Sequence, residues 1–579
     1  MVHARSIVPS RLLRLATIGA IALFAAGAAP SAAADGFKTD QDAMLTPVAS
    51  GVSVDPIITV GETLGSYRFE AIPDGISIRK TAAGTEIWVN HETARVPFPY
   101  NLPPSPANQN DFDNAQLSHM WLDPATSSVV SAELVIRSTE NFQRFCSNYL
   151  ATSKEGFERS LLFTNEETPD WTNRTGNAWP ATIGAPEARE GGYVVAVDPA
   201  TGEHRVILGM GRLNHENSVA IPGFRKVVLL TGDDTFTTSP SQSQLYSYIA
   251  KDANGVWNDG GRLYAFVSND PVLKRYDDFA PGSTASISGM FIPVPKLIAR
   301  GVNPDGTELE AEDVPAELGG PYPEPPSDGT WQRPPGTPSS ATDVPGIDGP
   351  QWVLEYWSKI NNVFAFTRVE DIAYDKRDGM GNVVYIADSG RATAGTPQAG
   401  RSTNGRVWKM VIDPKNERKV TSLSILIEGD DNPVKTLNEI HQPDNLETTA
   451  NGLYITEDPS GNNQFPFGST DPNATAARLW QYQFATGTMR PILAVNHDAD
   501  EGPTDVDPST SRGNLGAWES SGIVDASAAF GPGAFLVDVQ AHTLWVEKAD
   551  GPDILPPAGP DWTDKREGGQ LLLVRVDGG

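Results

Sequence analysis

The chain has 579 residues and a formal charge of −29, from 73 acidic and 44 basic side chains. This acidic excess disfavours nucleic acids and anionic membranes as partners, because both carry negative charge themselves. Length alone does not fix the number of domains, since propellers and barrels of this size occur as single units.

The N-terminal segment has the pattern of an export signal. Arg5, Arg11 and Arg14 precede the apolar run "LATIGAIALFAAGAA" and the small-residue stretch "PSAAADG", which is typical of a Sec-type signal peptide. The absence of adjacent arginines and of a cleavage-site cysteine argues against the twin-arginine route and a lipoprotein. No later apolar run is long enough to span a bilayer. We therefore expect a signal peptide at residues 1–34 and a monomeric mature protein that is secreted or periplasmic.

Short strand-like runs separated by turn residues follow, such as "TEIWVN", "KVVLLTGDD" and "NGLYITED". In "VVAVDPATGEHRVIL" and "WKMVIDPKNERKVTSL" a strand ends in Asp-Pro, turns and leads into another strand, as expected of repeated blades. This pattern predicts an all-β fold, a single β-propeller of about six blades with long loop insertions, over residues 35–579. Two β-domains divided near residues 300–350 are the alternative. That Pro/Gly-rich region is expected to be a long inter-strand insertion or surface arm.

Polar residues collect where the predicted strands end. They are Asn90, His91, Glu92, Glu166, Glu167, His215, Glu216, Asn217, Asp233, Asp234, Arg368, Glu370, Asp371, Asp444, Asn445, Glu457 and Asp458. One acidic pair after a strand is ordinarily a solvated turn, but equivalent strand ends of a propeller converge on its channel. Carboxylates gathered there would repel one another unless bound cations supplied positive charge. Clusters of Asp, Glu and Asn oxygens favour calcium.

The sole cysteine, Cys146, lies in the segment "QRFCSNY". Three roles are open for it: a small buried hydrophobic residue, a partner in an intermolecular disulfide, or a metal ligand. Its neighbours Arg144, Ser147, Asn148 and Tyr149 are more polar than those of a core strand, which favours a metal ligand. A thiolate binds ferric iron strongly and calcium poorly, so one cysteine among carboxylates indicates a mixed site.

An ordered series of motifs resembles the PhoX-type secreted alkaline phosphatases, which are β-propeller enzymes that hold iron and calcium. The series is "FTNEETPDW", "GGYVVAVDPATG", "GMGRLNHENSVA", "LLTGDD", "FTRVEDIAYD" and "PDNLETTANGLYITED". The resemblance implies a phosphoric monoester hydrolase that acts on small phosphate esters through a metal-activated oxygen nucleophile.

The resemblance also implies roles for individual residues. The iron ligands would be Cys146, either Glu166 or Glu167, Glu216 and a metal-bridging Glu370. The calcium ligands would be Asp234, Asp444, Asn445 and Glu457. Arg368 and Asn90 would face the phosphate and, with Glu370, form the catalytic set. The guanidinium group suits this role because its planar fork matches two phosphate oxygens.

Two other classes of function use the same carboxylates. One is a propeller hydrolase that needs calcium alone, such as a phytase, phosphodiesterase or lactonase. The other is a non-catalytic propeller in which calcium only ties the blades together. Bound Fe³⁺ together with Ca²⁺ would favour the phosphatase, and calcium alone would favour either alternative.

Overall fold

The structure is a computed structural model. It describes residues 31–82, 84–92, 114–168, 171–173, 188–235, 241–326, 331, 348–390, 404–431, 438–458, 475–499, 518–541, 545–547, 562–564 and 568–579. The predicted signal peptide lies outside the described residues except for its last four, where the first strand begins. Residues 31–579 form one compact unit. Among the described helices, none is long and apolar enough to cross a lipid bilayer.

Within the described residues, the main strands form six antiparallel blades, each with four core strands. From the inside outwards, blade 1 contains β6 (Ile72–Thr81), β7 (Gly84–Glu92), β8 (Gln116–Leu122) and β9 (Val129–Ile136), and blade 2 contains β10 (Phe145–Ala151), β11 (Leu161–Glu166), β14 (Val194–Val197) and β15 (His204–Val206). Blade 3 contains β16 (His215–Ile221), β17 (Val227–Asp233), β18 (Leu245–Ala250) and β19 (Arg262–Ser268), and blade 4 contains β21 (Val369–Tyr374), β22 (Val383–Asp388), β23 (Arg406–Asp413) and β24 (Asn416–Glu428). Blade 5 contains β25 (Pro443–Thr448), β26 (Gly452–Glu457), β27 (Arg478–Gln483) and β28 (Thr488–Val495), and blade 6 contains β29 (Trp518–Asp525), β30 (Ala534–Ala541), β33 (Gly568–Val576) and β3 (Val52–Thr59).

The blades close into a ring. Each innermost strand contacts the innermost strands of both neighbouring blades, and β29 of blade 6 contacts β6 of blade 1. Blade 6 combines both ends of the chain, because β3 pairs with β33 along its length. This arrangement confirms the predicted all-β propeller and its number of blades.

Additional strands extend this ring. They are β1 (Ser31–Phe37) on β9, β2 (Leu45–Pro47) on β28, and β20 (Ser286–Pro293), which pairs with both β19 and β24 and joins blades 3 and 4 into one nine-stranded sheet. The remaining hairpins are β4 (Thr63–Leu64) with β5 (Tyr67–Arg68), β12 (Trp171–Asn173) with β13 (Ala188–Glu190), and β31 (Trp545–Glu547) with β32 (Trp562–Asp564). The described α-helices are α1 (Ala253–Trp257), α2 (Lys296–Arg300), α3 (Pro350–Ile360) and α4 (Ser527–Phe530).

The hydrophobic core lies between the blades. In β22, Val384 and Ile386 belong to the apolar cluster shared with blade 3, whereas Val383, Tyr385 and Ala387 belong to the cluster shared with blade 5. Successive side chains of a strand point to opposite faces, so a strand that is covered on both faces needs apolar residues at consecutive positions. This explains why the predicted strands include unbroken apolar runs.

The Pro/Gly-rich region at residues 300–350 is only partly described, over residues 300–326, 331 and 348–350. It leads into α3, which begins with Pro350 at its first position, where a missing backbone N–H costs nothing. Leu309 and Val314 of the insertion pack into the apolar cluster of blades 2 and 3, as do Trp352 and Leu354 of the helix. The insertion therefore returns to the ring and contributes to its core.

We predict that Gly75→Ala destabilises the propeller strongly. A methyl group at this position in β6 would collide with the backbone of Ser147 and Asn148 in β10, and the two strands are the inner strands of neighbouring blades. Overpacking of this kind costs about 1–3 kcal/mol or more, which urea unfolding would measure. Gly255→Ala in α1 is the control, because its new methyl group would make only ordinary contacts. Equal stability of the two variants would contradict the close packing of blades 1 and 2.

Candidate metal centre

All six innermost strands contain a β-bulge at the same place in the blade. Two residues of the inner strand there oppose one residue of the second strand, a change that redirects side chains. The first residues of the six bulges are Asp74, Cys146, Glu216, Glu370, Asp444 and Ser521. Five of these side chains interact electrostatically with one another around the channel. We call this set the bulge ring.

A second set of side chains comes from the end of the second strand of each blade. Each member pairs with the inner-strand residue two positions before the bulge. The members of this set are Glu92, Glu167, Asp234, Ser389, Asp458 and Gln540. Four of them are carboxylates, and their charges act on the acids of the bulge ring. The propeller therefore gathers two layers of acidic groups at its channel.

Cys146 lies where the two layers meet. Its Sγ and one carboxylate oxygen each of Glu167 and Glu216 all lie within 4.8 Å of one another, and the same is true of Sγ with Asp74 and Glu92. Burial raises the pKa of the Cys146 thiol well above its usual value, and the surrounding carboxylates raise it further. A bound cation would reverse this effect, since a coordinated thiol loses its proton.

Burial and mutual repulsion also raise the pKa of the carboxyl groups. Burial raises the pKa of Asp74 to about 7 with help from Glu92. Burial likewise raises the pKa values of Glu167, Glu216 and Asp444 well above their ordinary range, and neighbouring acids add to the effect. In the absence of metal ions the centre would therefore hold protons, and cations that displace those protons would stabilise the charged form.

Two arginines approach the centre from equivalent positions, each two residues before its bulge. Arg368 donates through Nε to Asp234 Oδ1 (2.8 Å) and through Nη2 to Oδ2 of the same carboxylate, with Glu370 Oε1 at 3.2 Å. Arg144 donates to Glu92 at 3.0 Å. The Arg144 side chain is 31% exposed against 8% for Arg368, so Arg144 is the more accessible of the two.

The structure brings most of the sequence-predicted site residues together. Cys146, Glu167, Glu216, Glu370 and Asp444 share the centre, and Asp234 joins it through Arg368. Asn445, the residue after Asp444, donates through Nδ2 to the Ser147 hydroxyl oxygen (2.8 Å). Asn445 therefore lies beside the centre.

Three predicted residues have other partners. Arg189 donates to Glu166 at 2.8 and 3.0 Å, and the amides of Gln143 and Tyr193 also donate to it. These contacts use both carboxylate oxygens of Glu166, so Glu167 is the member of the pair that reaches the centre. The strand alternation explains the difference, because adjacent residues face opposite ways.

Glu457 and Asn90 likewise make structural contacts. Glu457 accepts hydrogen bonds from the amides of His441 (2.8 Å) and Arg478 (2.9 Å) and from the Trp480 indole (2.8 Å). Asn90 donates to the Cys146 carbonyl oxygen and accepts from the Thr164 hydroxyl (3.0 Å). These contacts of Asn90 position the Cys146 strand.

Sequence reasoning missed Asp74 and Arg144 as members of the site. "IPDG" resembles an ordinary turn, yet Asp74 and Gly75 form the bulge of blade 1. The signal that would find Asp74 is a repeat at the start of three inner strands: an acidic residue, then a glycine, an amide or a second acid, then an apolar residue. This pattern recurs in "EDI" at Glu370 and "DNL" at Asp444.

Comparison with known proteins identifies the family. The sequence model of the family described as alkaline phosphatase PhoX matches residues 136–500, which include the bulges of blades 2 to 5. The chain belongs to the PhoX alkaline phosphatase family. It is therefore a phosphomonoesterase of a family whose members depend on metal. No curated protein matches the sequence.

A solved structure agrees with this fold. PhoX of Pseudomonas fluorescens in complex with vanadate, a transition state analogue, matches with a TM-score of 0.56 and 13% identity over 94% of this chain and 98% of that chain. A putative 6-phosphogluconolactonase from Bacteroides fragilis matches with a TM-score of 0.28 and 10% identity, over 75% of this chain and 86% of that one. A glycoside hydrolase family 43 xylosidase/arabinofuranosidase from a compost metagenome matches with a TM-score of 0.25 and 10% identity, over 78% of this chain and 97% of that one. The last two scores are too low to support an argument about this PhoX-family chain.

We predict that the metal-free protein becomes less stable as the pH rises. A raised carboxyl pKa means that the folded state holds the proton more tightly than the unfolded state. The stability that this gives is present at acid pH and is lost as the pH rises through the folded pKa. For Asp74 this loss of stability occurs between about pH 4 and about pH 7. Within its own pH range, each such group lowers the free energy of unfolding by about 1.4 kcal/mol per pH unit.

Thermal unfolding in excess chelator at pH 5 and pH 8 measures this effect. The Tm should be lower at pH 8, and added calcium and iron should raise the pH 8 value, because ligands that bind only the folded state stabilise it. An identical Tm at pH 5, at pH 8 and with metals restored would show that the acidic layers bind no cation.

Proposed function

We propose that this phosphatase is secreted and hydrolyses phosphate monoesters at a centre that holds both iron and calcium. The observation that carries the proposal is the position of Cys146. It occupies the place in the bulge ring where four other blades place a carboxylate. A ring of acids alone suits calcium, and one thiol within it suits iron.

The donor groups fit such a mixed centre. Cys146, Glu167 and Glu216 are the residues that would hold iron, since a thiolate with carboxylates is a strong ligand set for ferric iron. Asp444 and Glu370, with Asp234 nearby, offer hard oxygen donors for calcium. Bound metal ions supply charge neutralisation at the phosphoryl oxygens and activation of the attacking oxygen.

Arg368 would bind the phosphate. Its Nε and Nη2 are held by Asp234, while Nη1 lies 3.8 Å from Asp458 Oδ2. The Asp234 carboxylate thus fixes the plane of the guanidinium group, and Nη1 would donate to a phosphate oxygen. Phosphoryl transfer depends mainly on positioning and on neutralising charge, and a fixed guanidinium group contributes to both.

Other residues position the thiol. Asn90 holds the carbonyl group of Cys146, and Ser147 donates its hydroxyl proton to Glu216 Oε1 at 2.8 Å. These contacts connect the bulge of blade 2 to its neighbours on both sides. They fix the Cys146 backbone, so that Sγ is presented to the carboxylates of blades 1 and 3.

We predict that Arg368→Lys lowers kcat/KM for p-nitrophenyl phosphate by roughly 10- to 100-fold, because a point charge replaces a planar donor. Lysine can neither keep the two-point contact with Asp234 nor direct a second donor at the phosphate. Steady-state kinetics on metal-loaded protein measure the loss. Arg406→Lys is the control, since Arg406 is a fully buried arginine that pairs with Glu428 (2.8 Å) away from the channel. Equal kcat/KM values for Arg368→Lys and Arg406→Lys would show that Arg368 does not contact the phosphate.

We predict that Cys146→Ser and Cys146→Ala lose bound iron, visible charge-transfer absorption and most activity while the circular dichroism of the propeller is kept. The thiolate is the ligand that distinguishes iron from calcium here. Alanine is the stricter variant, because it removes the sulfur without adding a hydroxyl group that can bind metal. If both variants stay coloured, loaded with iron and active, the thiol is a packing residue and the calcium-only hydrolase is the better account.

A further inference from the structure

Blade 6 departs from the other blades at the residue that opposes the bulge. This residue lies in the second strand of each blade and faces the two bulge residues. In order round the ring, the six residues are Asn90, Asn165, Gly232, Ala387, Thr456 and Asp538. Five of them are neutral, and only Asp538 carries a carboxylate.

Asn90 shows what this position can do. Its amide nitrogen donates a hydrogen bond to the carbonyl oxygen of Cys146, at the bulge of the next blade. Blade 1 is the next blade after blade 6, and its bulge begins at Asp74. Asp538 therefore has the same position relative to Asp74 that Asn90 has relative to Cys146. Asn90 donates a hydrogen bond from this position, whereas an ionised Asp538 can only accept one.

Gly522 allows the Asp74 carbonyl oxygen and the Asp538 carboxylate to lie close together. A methyl group built on Gly522 would lie 2.7 Å from the Asp74 carbonyl oxygen and 3.1 Å from Asp538 Oδ1. The bare α-carbon thus leaves a small space, bordered on two sides by oxygen atoms. Ser521, the first bulge residue of blade 6, adds a hydroxyl group that donates to Asp74 Oδ1 at 2.6 Å.

Among the described residues, no side chain donates a hydrogen bond to Asp538. Its side chain is completely buried, and neither carboxylate oxygen makes a hydrogen bond. The backbone amides of Gly522 and of Asp538 itself partly offset the charge of this carboxylate. Asp74 Oδ2 is also buried and makes no hydrogen bond within the part of the chain that the structure describes. Burial raises the pKa of Asp538 well above its usual value, and the charge of Asp74 raises it further.

We propose that Asp538 and Asp74 hold a calcium ion at the junction of blades 6 and 1, beside the centre around Cys146, with which this site shares Asp74. The groups that converge there, the carboxylates of Asp538 and Asp74, the Asp74 carbonyl and the Ser521 hydroxyl, are hard oxygen donors of the kind that calcium prefers. Two carboxylates match the charge of one divalent cation. The ion would tie the last blade to the first, where the ring closes.

A proton on Asp538 is the competing arrangement. It would turn the acid into a donor to the Asp74 carbonyl oxygen and so imitate the amide of Asn90. The two arrangements differ in calcium content, which can be measured whether or not the protein acts on phosphate esters.

Asp538→Asn separates the two arrangements. The neutral amide suits this position, as Asn90 and Asn165 show in blades 1 and 2. Calcium per chain is measured by elemental analysis after dialysis against calcium at pH 8. We expect one calcium ion fewer than in the unaltered protein, unchanged iron, and a smaller rise in Tm on adding calcium to chelated protein. An unchanged calcium count, with a Tm in calcium that is no lower, would assign a proton to Asp538 and overturn the proposal.

Gly522→Ala tests the same site without changing its charge. The added methyl group would fill the space between the two oxygens, so we expect the same loss of one calcium ion. Asp430→Asn is the matched control, because Asp430 is equally buried but accepts hydrogen bonds from the amides of Asn404 and Gly405 (both 3.1 Å) and from the Tyr276 hydroxyl (2.5 Å). Asp430→Asn should lower the Tm and keep the full calcium count. Full calcium in Gly522→Ala, or an equal loss in Asp430→Asn, would contradict the site.

Discussion

Repulsion between buried carboxylates is the constraint on which this molecule depends. Six blades each direct the start of their inner strand at one channel, and acids occupy most of those positions. Arg144 and Arg368 each already neutralise a neighbouring acid there. The remaining charge must be protonated or matched by cations. We therefore expect a structure that buries so many acids to be stable at neutral pH mainly as a metal complex.

The repeated bulge connects this constraint to function. It lets each blade present one side chain to the channel without disturbing the apolar residues that hold neighbouring blades together. Because the six positions are equivalent in geometry, a substitution in one blade changes the chemistry and leaves the fold intact. Cys146 in blade 2 introduces sulfur into a ring of oxygens, and Asp538 in blade 6 introduces charge where the other blades are neutral.

The fold and much of the centre could be predicted from the sequence, because short strand-like runs and Asp-Pro turns repeat along the chain. The predicted strand ends carry Glu216, Glu370 and Asp444, and the structure brings these side chains together. The choice between Glu166 and Glu167 depends on register within one strand, which a pattern of adjacent acids does not contain. Asp74 was missed because Pro73, Asp74 and Gly75 have the composition of a turn. Only the pairing of β6 with β7 shows that they form a bulge.

The most direct test of the account is the metal content of the purified protein. Elemental analysis of active, dialysed protein should find iron together with more than one calcium ion per chain, and removal of both metals should abolish the hydrolysis of phosphate monoesters. Protein that contains neither iron nor calcium, yet is folded and fully active at pH 8, would contradict the central claim that bound cations compensate the buried acids.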